Sequence, residues 1–264
     1  MQGHQPRKRF GQNFLADAHY VGRIVDAIDP QPGQTIVEIG PGLAALTGAL
    51  IERAGRIVAI EIDRDLVARL AGRFAPERLQ LIEGDALAFD YATLGTELRV
   101  VGNLPYNISS PLLFRLAQFT SSLRDLHVML QKEVVDRMIA APGTPDYGRL
   151  SVMLQSRFAI TRLLIVPPGA FRPAPKVDSA LARLRPLNER APAILDTGLF
   201  AKIVSAAFSQ RRKTLRNALA ALCDTATIES AALDPGVRGE TLSIDQFVSL
   251  ANQLAREGGA VSSR

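Results

Sequence analysis

The stretch Thr35-Ile36-Val37-Glu38-Ile39-Gly40-Pro41-Gly42-Leu43-Ala44-Ala45-Leu46 reads as a strand, a glycine turn and the start of a helix. Two glycines at such a turn let backbone approach a ligand that a Cβ would block. Alone, the string is ambiguous. Gly40, Gly42 and Ala45 also satisfy the dinucleotide pattern G-x-G-x-x-G/A, and Glu61 follows at a distance that suits hydrogen bonds from ribose hydroxyls.

Outward from that turn, short Val-, Ile- and Leu-rich runs at 34–39, 56–61, 79–83, 98–102 and 126–131 predict strands of the kind a parallel sheet buries on both faces. Between them, apolar residues spaced three and four apart predict helices over 43–53, 64–74, 111–119 and 132–140, with Pro111 in a first turn. A helix over 148–157 is expected to lead into two more strands, 160–166 and 177–184. This alternation is the sequence form of a doubly wound α/β domain. From Leu187 the strand-like runs stop. Helical periodicity at 197–208, 212–222, 227–233 and 244–256 predicts a small helical domain, and 258–264 is expected to be a frayed tail. The expected division is therefore 1–186 and 187–264.

Three features separate the alternatives at the glycine turn. Glu38 sets a carboxylate just before it, which suits a ligand carrying an ammonium and a sulfonium better than one carrying a pyrophosphate. The run 79–83 leads into Gly84-Asp85-Ala86, where an aspartate can accept a hydrogen bond from an adenine amine. The next strand leads into Asn103-Leu104-Pro105-Tyr106. All lie at the carboxyl ends of strands, where an open α/β sheet forms its crevice. Together they favour S-adenosylmethionine over a nicotinamide dinucleotide. The expected fold is a Rossmann-like class I methyltransferase domain with a small C-terminal all-helical domain.

The tetrapeptide at 103–106 suits transfer to an adenine exocyclic amine. That nitrogen is a poor nucleophile because its lone pair is delocalised into the ring, so a catalyst must accept its N–H protons. The Asn103 side-chain oxygen and the Leu104 carbonyl can do so, with Pro105 fixing the turn and Tyr106 offering a face for the base. No strong base is needed, because the proton becomes acidic once the nitrogen carries the methyl.

The net charge of +5 fits a polyanionic partner, and its clustering strengthens the point. Arg7, Lys8 and Arg9 precede the first acidic residue, Asp17, and Arg211, Arg212, Lys213 and Arg216 form a second patch. Such patches track phosphates, although two solvated faces would look the same. The single Cys223 excludes an intramolecular disulfide, and His4, His19 and His127 are scattered, so no metal is expected. No apolar run approaches the roughly 18 to 20 residues that span a bilayer, and Met1 to Gly11 lacks the apolar core of a signal peptide, which places the chain in the cytoplasm as an expectation.

Across nearly its whole length the chain resembles the bacterial small-subunit ribosomal RNA adenine dimethyltransferases, the dimethyladenosine transferase family whose loss gives kasugamycin resistance. The resemblance is carried by Lys8-Arg9-Phe10-Gly11-Gln12-Asn13-Phe14-Leu15, Glu38-Ile39-Gly40-Pro41-Gly42, Glu61-Ile62-Asp63, Gly84-Asp85-Ala86 and Asn103-Leu104-Pro105-Tyr106-Asn107-Ile108-Ser109-Ser110. Two further blocks, from Pro167 to Ser179 and from Phe208 to Asn217, complete it. It implies methylation of the N6 amines of two adjacent adenosines near the 3′ end of small-subunit ribosomal RNA, with a pre-assembled small subunit as partner and a monomeric enzyme. By the same resemblance, Asn13 and Leu15 close over the methionine end of the cofactor, Gly40 lines the turn, Glu61 holds the ribose and Asp85 reads the cofactor adenine. Asn103 is shared between cofactor and target amine, and Phe171 sandwiches the flipped adenine against Tyr106. Read without the family, Phe171 is equally a core residue. One position departs from the pattern: Ala44 stands where the family usually has glycine, so backbone approach to the cofactor is expected to be tighter there. Large-subunit methyltransferases conferring macrolide resistance, and binding-only transcription factors of mitochondria, share the family and stand as alternatives.

Overall fold

The computed structural model describes residues 13–105 and 107–261. Tyr106, the basic positions Arg7 to Arg9 and the first five residues of the opening motif lie outside the described residues. The chain divides into two compact units, one formed by the described residues up to Val135 with Ala159–Pro186, the other by Asp136–Phe158 with those from Leu187 onward.

The first unit begins with β1 (Phe14–Leu15) and α1 (Ala18–Ile28), then alternates β2 (Ile36–Ile39), α2 (Ala45–Ala54), β3 (Ile57–Glu61), α3 (Arg64–Ala71), β4 (Leu79–Glu83), β5 (Leu98–Asn103), α4 (Ser109–Leu116) and β6 (Leu123–Gln131). Helices α5 (Lys132–Ile139) and α6 (Arg149–Gln155) follow, then β7 (Phe158–Val166), β8 (Phe171–Arg172) and β9 (Ser179–Pro186). Seven strands form one sheet in the order β4-β3-β2-β5-β6-β9-β7. From β4 to β6 the pairs are parallel, and β9 runs antiparallel to β6. Every residue of β2 and β3 is buried, as expected of central parallel strands covered on both faces. The register sets Ile39 beside Ile60 and Gly102, and Glu61 beside Glu83, so β2 to β5 all end at one edge. Gly102 is required there: a Cβ would fall 2.8 Å from the Ile39 carbonyl oxygen and 2.9 Å from Leu104 Cδ2.

At the other edge Arg99 and Asp125, side by side on β5 and β6, are buried as a pair. Arg99 Nε and Nη2 each lie 3.0 Å from an Asp125 oxygen, and its remaining N–H groups reach the Ile28 and Asp29 carbonyls and Gln34 Oε1 at 2.7, 3.0 and 2.8 Å. The end of α1 is thus tied to the sheet. Burial opposes the charged form of Asp125, but the contacts from His127 and Arg99 outweigh it and hold the carboxyl below its usual range. A depressed folded pKa contributes stability above the unfolded value of about 3.9 and loses it as pH falls through the folded one. Asp125→Asn is therefore expected to cost on the order of 2 kcal/mol at pH 7, somewhat less than outright deletion of a buried partner. Denaturant melts should show the gap between variant and parent closing below about pH 4. A gap independent of pH would show that the charge is not what matters.

The second unit adds α7 (Thr197–Ser209), α8 (Leu215–Ala218), α9 (Thr225–Ser230) and α10 (Ile244–Val261). Residues 136–158, expected in the first domain, join the helical unit. The cause is packing: Tyr147 and Val152 sit in a core with Phe200, Ile203, Val204 and Phe247, and Tyr147 Oη donates to the Leu242 carbonyl at 2.9 Å. The helix expected over 212–222 shrinks to α8. The amides of Leu215 and Arg216 are taken by the carbonyls of Val237 and Pro235 at 2.7 and 3.1 Å, which replaces helical bonding in that segment. The tail expected to fray at 258 instead continues α10 to Val261. Among the described residues no helix is long and apolar enough to cross a membrane.

Candidate active site

β2 ends at Ile39, and the chain turns through Gly40 and Gly42 in left-handed conformations, φ 64° and 56°. At Gly42 a Cβ would also press on the Phe14 ring at 3.0 Å, so glycine is required twice over. The Gly42 amide donates to Glu61 Oε2 at 3.3 Å, and Glu61 Oε1 accepts from the amides of Ile62 and Asp63, both at 3.0 Å. In a dinucleotide site the turn amide would face a pyrophosphate. Here a carboxylate of the same chain already occupies it. Burial raises the Glu61 carboxyl despite the three amides that favour its charge.

Glu38 lies under the same turn, 2% exposed, with one oxygen lacking any partner. Burial pushes its carboxyl up to about 7, against the lowering influence of Thr47 and with the Glu61 charge adding to the rise. A buried carboxyl that gains a cation regains its charged form cheaply, whereas a phosphate beside it would be repelled. Glu38 borders a small cavity of about 30 Å³ with Phe14, Leu15 and Asn103.

The main cavity, about 310 Å³, opens where the strand ends meet. Ile39, Ile60, Ile62 and Leu87 give it apolar walls, and Asn13, Gly40, Glu61, Asp85 and Asn103 line it as expected. Asp85 Oδ1 accepts from the Leu87 amide at 2.9 Å, leaving Oδ2 for a ligand. Asn103 Nδ2 donates to the Asn13 carbonyl at 2.9 Å, a partner that can only accept, so the amide is oriented with Oδ1 away from it. The Leu104 amide donates to the Met129 carbonyl at 3.1 Å and pins the backbone just after Asn103, while Leu104 and Pro105 complete that wall. A flat purine, a ribose and a cationic tail match this set of apolar walls, two accepting carboxylates and an unpartnered buried carboxyl.

Two of the expected site residues, Leu15 and Phe171, do not line the main cavity. Leu15 is buried in the core and touches only the smaller cavity. Tyr106 lies outside the described residues. Phe171 is 0% exposed, belongs to the core of the first unit and does not line the main cavity. Its strand, β8, pairs antiparallel with β1, Phe171 opposite Leu15 and Arg172 opposite Phe14, and the Ala16 amide bonds the Ala170 carbonyl at 2.8 Å. In this conformation Phe171 offers no free face to a base; it anchors the strand that carries Asn13 and Phe14 to the cavity.

The structure adds Phe14 and Ile62 to the site. Ile62 is half exposed, an unusual place for a large aliphatic side chain, and only its position after Glu61 signals it in the sequence. Ala44, where a closer backbone approach was expected, caps α2 in a left-handed conformation, φ 67°, is 4% exposed and lines neither cavity. Left-handed alanine costs about 1–2 kcal/mol, whereas its buried methyl contributes about 0.8 kcal/mol and glycine adds unfolded-state entropy of about 0.4–1 kcal/mol. These terms nearly cancel. Ala44→Gly is expected to change stability by less than about 1 kcal/mol, and cofactor affinity less than twofold by titration calorimetry.

In the second unit Arg212, Lys213 and Arg216 are exposed, but Arg211 is engaged, donating to Glu240 Oε2 at 3.1 Å and to the Pro145 carbonyl at 2.9 Å. Of the expected basic run, that arginine is held by its own unit.

The family described as ribosomal RNA adenine dimethylase matches residues 3–256. Curated relatives include ribosomal RNA small subunit methyltransferase A of Aromatoleum aromaticum, 58% identical with 97% of this chain and 96% of that protein covered, and of Thiobacillus denitrificans, 56% identical with 96% and 99% covered. Among solved structures, a dimethyladenosine transferase from Plasmodium falciparum superposes with TM-score 0.77 at 24% identity over 93% of this chain and 98% of its own, which speaks to the fold. The 23S rRNA methyltransferase ErmE follows with TM-score 0.67 at 25% identity over 92% and 100%. With strand order, cavity and these relatives in agreement, the chain belongs to the ribosomal RNA adenine dimethylase family, on a class I methyltransferase fold.

Proposed function

We propose that the chain transfers methyl groups from S-adenosylmethionine to the N6 amines of two adjacent adenosines near the 3′ end of small-subunit ribosomal RNA, acting in the cytoplasm as a monomer on a pre-assembled small subunit. The observation that carries this reading is Asn103: fixed through Nδ2 at the end of β5, it lines a cavity that Glu61 and Asp85 also line. Bound there, S-adenosylmethionine supplies an electrophilic methyl on a sulfonium. The residues of this chain do the positioning. Asp85 Oδ2 accepts from the cofactor adenine, Glu61 from the ribose hydroxyls, and Glu38 balances the charge of the methionine end. Asn103 Oδ1 and the Leu104 carbonyl accept the two N–H groups of the target amine, which frees its lone pair toward the methyl carbon. Rate then comes from alignment at near-attack distance, without a strong base. Tyr106 is assigned the stacking face for the extruded base, a role common to enzymes that act on an unstacked nucleotide.

The relatives at 56–58% identity carry the small-subunit name, which supports that substrate over the large-subunit one borne by the more distant ErmE. An intact Asn103 and Asp85 favour turnover over binding alone. The test is transfer of labelled methyl to under-methylated small subunits, to protein-free large-subunit RNA and to naked small-subunit RNA. Label on the assembled small subunit alone is expected. Label on the large-subunit RNA, or none with RNA still bound, would move the chain to one of the two alternatives.

A further inference from the structure

Asp85, assigned above as the reader of the cofactor adenine, sits in a loop held by backbone bonds at both ends. The Gly84 amide bonds the Glu61 carbonyl at 2.9 Å, and the amides of Ala88 and Phe89 both bond the Asp85 carbonyl at 3.0 Å. The Ala86 carbonyl, next to Asp85, is held by a side chain from the core: Tyr91 Oη donates to it at 2.9 Å. Tyr91 is 0% exposed, and its ring meets Phe89 and Phe119 edge-on at 5.2 and 5.4 Å. Arg115 lies over Phe119 at 4.6 Å and donates to the Phe89 carbonyl at 3.1 Å, closing the cluster from outside. A tyrosine buried this completely is a costly way to fill a core that phenylalanine would fill, unless the hydroxyl has a task.

We propose that Tyr91 is a positioning residue for cofactor selection: by gripping the Ala86 carbonyl it sets where Asp85 Oδ2 points, and so how strongly the cavity prefers a purine with a 6-amino group. This rests on the assignment of Asp85 as the adenine reader. Burial keeps the phenol protonated; the Arg115 charge opposes that state and the Asp85 charge adds to it, and burial prevails, so the hydroxyl remains a donor throughout the working pH range. Without the hydroxyl the 85–87 turn keeps its Leu87 bond and its backbone bonds, but the Ala86 carbonyl loses its tether to the core. Asp85 Oδ2 would then sample several directions, and directionality is what separates an amine donor from a keto acceptor at the same ring position.

The test compares equilibrium affinity for S-adenosylhomocysteine and for its hypoxanthine counterpart, which carries a 6-oxo group, in the full chain. Taking the ratio within one preparation cancels any inactive fraction. The parent is expected to prefer the amine by roughly tenfold or more, the value of one hydrogen bond to a charged acceptor. Asp85→Asn should remove or invert the preference, because an amide N–H then faces the ligand. Tyr91→Phe should lower the preference at least threefold. Phe119→Leu, which loosens the ring packing but leaves the hydroxyl bond, should leave it unchanged. If Asp85→Asn alters the ratio and Tyr91→Phe does not, Tyr91 only fills space and the proposal is overturned while the Asp85 assignment stands. An effect of Phe119→Leu equal to that of Tyr91→Phe would also overturn it, by making packing the cause. If Asp85→Asn leaves the ratio intact, the adenine assignment falls and the Tyr91 proposal with it.

Discussion

Asn103→Ala is expected to lower kcat for methyl transfer by roughly 10²–10³-fold, the range seen when one polar group aimed at the reacting centre is removed. S-adenosylmethionine affinity should fall less than about tenfold, because Glu61, Asp85 and the turn remain. The inequality follows from geometry. Asn103 Nδ2 holds the Asn13 carbonyl, so truncation frees a segment that lines the cavity and also deletes the acceptor proposed for the target amine. Single-turnover kinetics with saturating cofactor separate the two losses. Comparable losses in both would mean that Asn103 serves mainly to hold Asn13 over the cofactor.

Phe171→Ala is expected to destabilise the protein by about 3–5 kcal/mol, the cost of emptying a fully buried aromatic site. Phe171 packs in the core of the first unit, and its strand is the partner of β1, so the loss should spread to Asn13 and Phe14. Denaturant melts read the first effect. Well below the melting transition, folded Phe171→Ala should bind cofactor several-fold more weakly, and this loss should match its loss in turnover. If instead stability were near that of the parent while turnover with RNA collapsed, Phe171 would leave the core to stack on the base, as the family resemblance implies.

The sheet was legible because burial on both faces leaves an unmistakable trace. The runs ending at Ile39, Glu61, Glu83 and Asn103 are apolar, short and bounded by turn residues, so their ends, and with them the cavity wall, were placed within a residue or two. Residues whose role depends on a partner far along the chain were not legible in this way. Phe171 and Leu15 form a two-residue strand pair that no periodicity can reveal. Alternation says that Phe171 and Arg172 face opposite ways, but not which of them faces the cavity. Arg99 and Asp125 look like surface charges until the parallel register sets them side by side. The helix at 149–155 carries an ordinary amphipathic pattern, and only the packing of Tyr147 and Val152 assigns it to the second unit. Helix α1 carries its own signals: Asp17 caps it through the His19 amide, and Val21, Ile24, Val25 and Ile28 follow at helical spacing.

The most direct measurement is mass-spectrometric mapping of methylated adenines in ribosomal RNA from cells lacking this gene, complemented with the parent or with Asn103→Ala. Paired N6,N6-dimethyladenosines near the 3′ end of the small-subunit RNA should vanish on deletion, return with the parent and stay absent with the variant. Those marks persisting in the deletion strain, or a change confined to large-subunit RNA, would contradict the assignment.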